Sequence, residues 1–273
     1  MKSYSFILIT LIGIAGFSCK ESTGESPSER KLVWSDEFDY QGAPDSSKWA
    51  FQLGNGCPDI CGWGNNERQY YTRNPENVRV ENGNLVIEAI KNDSAYSSAR
   101  LTTNGKAGWK YGRVEARIDL PTGTGTWPAF WMLPSDWKYG GWPASGEIDI
   151  MEHVGYVVDS IFGTVHTGAY NHVKGTQKGG KILSADAEQN FHVYAIEWNA
   201  EKIDFFLDDT LYFTFANEHT GSEAWPFDQD FYLLLNLAVG GNWGGKFGID
   251  DSIWPQRMVV DYVRVYSLEK LKS

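Results

Sequence analysis

Eight residues, Gly146 to His153 (GEIDIMEH), constrain this chain more than any other segment. They set the carboxylates of Glu147, Asp149 and Glu152 among the apolar Ile148, Ile150 and Met151, a pattern foreign to a solvated acidic run. Successive side chains of a strand point to opposite faces, so Glu147 and Asp149 share a face and Glu152 turns away. A β-bulge near Ile150–Met151 adds one residue and returns Glu152 to the face of Glu147. The two glutamates then stand roughly 13 Å apart at Cα, at ~3.3 Å per strand step. On a concave sheet their carboxyl groups converge to about 5–5.5 Å, the separation that suits nucleophilic attack on a sugar from one side and proton donation from the other. The plain alternative is the charged face of an ordinary strand.

Like charges held this close do not all ionise, and the cluster shares its protons. Glu147 reads as the nucleophile and Glu152 as the general acid, then base. Asp149, between them on one face, hydrogen-bonds the nucleophile and tunes where the proton sits.

The rest of the chain reads as strands and turns, with no convincing helix. Asn77–Val80 and Leu85–Ile90 flank an Asn-Gly turn at 82–83, a hairpin signal. Gly112–Leu120 alternates Val114, Ala116 and Ile118 against Arg113, Glu115 and Arg117. Further strand candidates are Trp127–Leu133, Gly146–Glu152, Ile161–His166, Phe191–Trp198, Lys202–Leu207, Leu211–Phe215, Phe231–Ala238 and Met258–Tyr266. Many short strands broken by Gly, Pro, Asn and Asp mean an all-β sandwich or barrel. The β-prone last strand needs pairing, and its natural partner is the first, Leu32–Phe38. No composition shift divides residues 31–267, which read as one domain, followed by a tail at 268–273.

The net charge of −11 argues against a nucleic-acid partner. Twelve Trp and fourteen Tyr exceed what packing requires, as expected where rings line a groove for sugar faces. No feature calls for a partner chain, and a monomer is expected. Residues 1–19 read as an export signal: Lys2, an apolar run from Phe6 to Phe17, then Gly16-Phe17-Ser18-Cys19, a relaxed lipoprotein cleavage box. Cys19 is then either lipidated, tethering an otherwise soluble protein to a membrane, or incidental to plain secretion. Residues 20–30 (KESTGESPSER) read as a flexible tether. The remaining cysteines, Cys57 and Cys61, are read as a disulfide that stiffens a short loop, since an oxidising compartment permits it.

WPAFWMLP (127–134), WPASGEIDIMEHVG (142–155) and LLNLAVGGNWGG (234–245) resemble the bacterial laminarinases of glycoside hydrolase family 16. The likeness runs from WSDEF (34–38) to DYVRVY (261–266), and the Glu-x-Asp-x-x-Glu spacing is that of the laminarinase branch. The resemblance implies a β-jelly roll of two curved antiparallel sheets with a concave substrate cleft. It also implies retaining chemistry without a catalytic cofactor, and endo-attack on β-1,3-glucan. Trp127, Trp131 and Trp142 look like groove tryptophans, with core packing as the alternative. Asn66 and Glu67 look like loop groups that bind sugar hydroxyls, although Asn66 also suits a turn. Glu115 and Arg117 match a polar pair lining the groove, or else form a surface ion pair. His166 falls on the strand beside the catalytic one, and Asn236 is a polar residue in an apolar strand that needs a partner. A structural Ca²⁺ on the convex face is implied at the carboxylates of Glu37 and Asp261 and the carbonyl of Gly83. Rival readings are a mixed-linkage β-1,3-1,4-glucanase and a non-catalytic glucan-binding module on the same sandwich.

Overall fold

The computed structural model describes Met1 and residues 29–269. The expected export signal, Cys19 and most of the tether lie outside the described residues. In chain order the strands begin with β1 (Glu29–Asp36), β2 (Ala50–Phe51), β3 (Gln69–Tyr71), β4 (Val78–Glu81), β5 (Asn84–Asn92) and β6 (Ala95–Ser98). Next come β7 (Arg100–Thr102), β8 (Gly112–Asp119), β9 (Thr126–Pro134), β10 (Glu147–Glu152), β11 (Ser160–His166) and β12 (Lys178–Leu183). The last are β13 (His192–Trp198), β14 (Lys202–Leu207), β15 (Thr210–Ala216), β16 (Phe231–Val239) and β17 (Gln256–Glu269). Among the described residues the helical content is a 3-10 turn at Cys61–Gly64, and no helix is long and apolar enough to cross a membrane.

Two sheets face each other. One runs β15-β14-β13-β8-β17-β5-β6-β3, with β1 added on β17 and β4 on β5. The other runs β12-β11-β10-β9-β16-β7-β2. All pairings are antiparallel except β3 with β6. This is the jelly-roll sandwich that the family resemblance implies. Period-two alternation fills the space between the sheets. Val114, Ala116, Ile118, Val263 and Val265 come from the first sheet and Phe130, Met132, Ile148, Leu233, Leu235 and Leu237 from the second, all in one core cluster. Burying this many branched and aromatic side chains supplies the main driving force for the fold.

β17 holds the first sheet together. Its first half pairs with β5, its second half with β1 along the same edge, and β8 lies on its other side. The terminal strands therefore pair as their β propensity requires. β1 starts at Glu29, inside the stretch expected as tether, and Arg30 is held 2.6 Å from Glu197. β17 likewise continues through Leu268 and Glu269, residues assigned to the tail from sequence.

β10 sits between β9 and β11 in the second sheet, and its register breaks where the sequence asks for it. Asp149 faces Trp131 on β9, but Met151 already faces Phe130, so Ile150 is the extra residue. On β11, Asp149 faces Thr164 and Glu152 faces Phe162, again one residue more on β10 than on its neighbour. Ile150 and Met151 are both fully buried on the core side. Two consecutive apolar side chains thus enter the core, and Glu152 emerges on the face of Glu147. Deleting Ile150 should remove the bulge and restore simple alternation with Glu152 still on the face of Glu147, at the loss of one buried apolar side chain. The expected result is a melting temperature lower by roughly 10 °C, from the lost core packing. A calorimetric melt that matches the parent would show that the bulge carries no structural weight.

Candidate active site

The outer face of the second sheet forms the floor of a cleft of about 480 Å³. Strand parity decides what lines it. β9 contributes Trp127, Ala129, Trp131 and Leu133; β10 contributes Glu147, Asp149 and Glu152; β16 contributes Tyr232, Asn236 and Ala238. Trp127 and Trp131 share a face, as their spacing requires, while Pro128, Phe130 and Met132 turn inward. Gly146 delivers the chain into β10 with φ at 91°, and a Cβ there would meet Pro226 at 2.9 Å. Glycine therefore fits this entry where other residues do not.

Each glutamate receives an indole N–H. Trp142 Nε1 donates to Glu147 Oε2 at 2.6 Å, and Trp127 Nε1 donates to Glu152 Oε1 at 3.0 Å. Asp149 lies in hydrogen-bonding contact with Glu147. His166 Nε2 is 3.4 Å from Asp149 Oδ2 and 4.0 Å from Glu147 Oε1. Burial, then the charge of Glu147 beside it, pushes the Asp149 carboxyl well above the usual carboxylate range. Glu152 is also raised well above its ordinary value, by burial first and Asp149 second, with His166 and the Trp127 N–H pulling the other way. Both groups therefore hold protons where a free carboxylate would not. Glu147, Asp149 and His166 also offer ligand atoms within 4.8 Å of one another, a spacing that would suit a metal ion.

Aromatic rings wall the cleft. Trp142 packs against His172 and His166 at 4.9 and 5.9 Å, and Trp127 against Trp243 at 5.7 Å. Asn236 has the partner its position demands, accepting the Trp131 indole N–H at 2.7 Å. Glu67 also lines the cleft, with its carboxylate accepting from Gln69 at 2.6 Å and Tyr71 at 3.1 Å, and burial raises its pKa. Sequence reasoning missed Arg100, buried in β7 with its guanidinium between the rings of Trp63 and Trp131 at 4.5 and 4.7 Å. It also missed Trp63, Trp137, His172 and Tyr232, all of which line the cleft. Most of these sit on loops or very short strands, where no periodicity marks them.

Several expected site residues lie elsewhere. Asn66 is exposed, has a φ of 55° and donates to Asn242 at 2.8 Å; it lines a neighbouring polar depression and stays off the cleft lining. Glu115 and Arg117 do share a strand face, but β8 belongs to the opposite sheet. There Arg113 donates to Glu115 at 2.7 Å, both buried, and Arg117 to Asp261 at 2.7 Å at the surface, so the pair belongs to ion networks of that sheet and is remote from the groove. The same networks bear on the expected calcium ligands. Arg264 donates to both oxygens of Glu37, at 3.0 and 2.7 Å, and Asp261 is held by Arg117. Both oxygens of Glu37 and one of Asp261 are thus paired with a guanidinium group. Cys57 and Cys61 are joined by a disulfide, with Cα atoms 4.1 Å apart, in the loop that brings Ile60 and Trp63 to the cleft.

Residues 65–264 match the model of Glycosyl hydrolases family 16. The chain is 53% identical to the beta-glucanase of Rhodothermus marinus, across 97% of this chain and 94% of that one. The crystal structure of the Rhodothermus marinus laminarinase superposes with a TM-score of 0.84 at 54% identity, covering 88% of this chain and 98% of that one. SCLam, a non-specific endo-beta-1,3(4)-glucanase, follows with a TM-score of 0.83 at 49% identity, covering 89% and 93%. With the family model matched over most of the chain and such identity across nearly its whole length, the chain belongs to glycoside hydrolase family 16.

Proposed function

We propose that the protein is a retaining endo-β-1,3-glucanase acting on laminarin-type polysaccharide, with mixed-linkage β-1,3-1,4-glucan as a further substrate. The observation that carries the reading is the bulge in β10, which sets a protonated Glu152 in one cleft with Glu147. In the first step a Glu147 oxygen bonds to the anomeric carbon, the glycosidic C–O bond breaks, and the proton of Glu152 goes to the departing oxygen. Water then attacks the same carbon while Glu152 takes its proton, and the bond to Glu147 breaks. Asp149 keeps its proton on the Glu147 side and limits the charge that builds up as Glu147 leaves. The wall of indole rings gives glucose C–H faces a surface to stack on. A non-catalytic glucan binder would need neither the paired glutamates nor their separate indole donors.

Glu147→Ser should abolish hydrolysis of laminarin while laminarin binding by calorimetry stays within a fewfold of the parent. Turnover in that variant at the parent rate would remove Glu147 as the nucleophile. Proton NMR of early products should show a β-configured reducing end, and product analysis on laminarin and lichenan ranks the two linkages.

The pH–rate profile follows from the direction of the Glu152 shift. Because Glu152 must carry a proton, kcat/KM should fall as pH rises through its raised pKa. The Trp127 N–H stabilises the charged form of Glu152. Trp127→Phe removes that donor, raises the pKa further and should move the alkaline limb to higher pH. An alkaline limb that stays put or moves down would separate it from Glu152.

The mature protein is further proposed to sit outside the cytoplasm, tethered through acyl chains on Cys19, a reading supported by the apolar run and the residues around Cys19. Cys19→Ser should then release the enzyme from the membrane fraction, as followed by fractionation and palmitate labelling. Unchanged membrane association without label would leave plain secretion or another anchor.

A further inference from the structure

His153 follows the acid directly in sequence, yet its side chain leaves the cleft for the core, where it is fully buried. Its Nδ1 lies 2.9 Å from the carbonyl oxygen of Ser160, at the start of β11. A carbonyl only accepts, so Nδ1 carries a hydrogen. On the other side Nε2 lies 2.8 Å from Glu188 Oε1, whose side chain is 10% exposed. This is a close buried contact, and neither atom has a hydrogen-bond partner among the described residues.

Several pieces of chain meet at this ring. The His153 N–H donates to the Pro128 carbonyl on β9 at 3.3 Å, which extends the ladder one residue past Glu152. Ser160 lies beyond the connection from β10 to β11. Glu188 comes from the connection between β12 and β13, which is itself fixed. Ser184 N–H donates to the Asp159 carbonyl at 2.9 Å, and Ala187 is fully buried in the core. The bulge has broken ladder regularity just before this point, between Asp149 and Met151. The side-chain hydrogen bond that aims Glu152 comes from Trp127 alone among the described residues.

We propose that His153 and Glu188 are positioning residues for the general acid. Their buried contact locks the strand end beyond the bulge and thereby sets the direction in which Glu152 presents its proton. The inference rests on the reading of Glu152 as the acid. Stability by itself does not call for such a pair, because apolar residues of similar size commonly replace a buried ion pair without loss.

The test uses leaving-group dependence, which a general loosening of the fold would not move selectively. Laminarin needs a proton on its leaving oxygen, whereas dinitrophenyl β-laminaribioside does not. Glu188→Gln should lower kcat on laminarin by roughly tenfold or more, the scale of a misaimed catalytic group. KM should stay within about twofold, and the rate of glycosyl-enzyme formation from the aryl glycoside should match the parent. The double variant His153→Leu/Glu188→Leu, with both charges replaced, should melt near the parent and show the same selective loss. Equal losses on both substrates, no loss on laminarin, or failure of both variants to fold would overturn the proposal. Glu152→Gln is measured alongside. If it lacks leaving-group selectivity, the acid assignment itself fails; if it shows selectivity and Glu188→Gln does not, only the positioning role falls.

Discussion

One inserted residue in the middle of β10 is the constraint on which the site depends. A regular strand cannot place carboxylates of opposite parity on one face, and no rotamer change makes up the difference. Ile150 resolves the conflict by entering the core beside Met151, so the cost of the irregularity falls where burial of two apolar side chains offsets it. The same insertion takes one residue out of the ladder with both neighbouring strands. β10 is flanked on both sides, and this shelters the defect from solvent and from pairing with another chain.

Placing the cluster inside an aromatic cleft has an electrostatic consequence. Burial raises Asp149 and Glu152 because water no longer solvates their charged forms. The folded state therefore resists ionising two of its three carboxyl groups, which weakens it as pH rises and at the same time supplies the proton the reaction consumes. On the other sheet charges are paired: Arg113 with Glu115 along β8, both buried, and Arg117 with Asp261 and Arg264 with Glu37, partly exposed and individually of small value. The sandwich thus separates a face that tolerates strain from a face that compensates charge.

That division explains what was legible in the sequence and what was not. Strands long enough to alternate were visible, from Gly112–Leu120 to Met258–Tyr266, because one face of each fills the core. β12 escaped because Lys178–Leu183 is an edge strand with little buried surface and two glycines. β2, β3 and β7 are too short to show a period. The carboxylates were legible because an apolar strand makes charged residues conspicuous. Glu115 and Arg117 show the limit of the same logic: parity assigns a face within a strand, but nothing in an alternation says which of two sheets that strand joins. Arg100 was missed for the opposite reason. Its partners Trp63 and Trp131 are brought to it by a disulfide-closed loop and a distant strand, a contact no local pattern records.

The choice of tryptophan as the partner of both glutamates also follows from chemistry. An indole N–H donates and cannot accept, so it favours a charged or hydrogen-accepting oxygen without offering to take a proton. A tyrosine or histidine in the same place would enter the proton exchange it is meant to steer. The rest of the indole is a flat apolar plate that excludes water and presents a stacking face to a sugar ring. Trp127 therefore opposes, through its N–H, the rise in the Glu152 pKa that burial causes. These two effects oppose each other in the acid's proton affinity, alongside the charges of Asp149 and His166, and so the cleft can be dry enough to bind a glucan and still let its acid give the proton up.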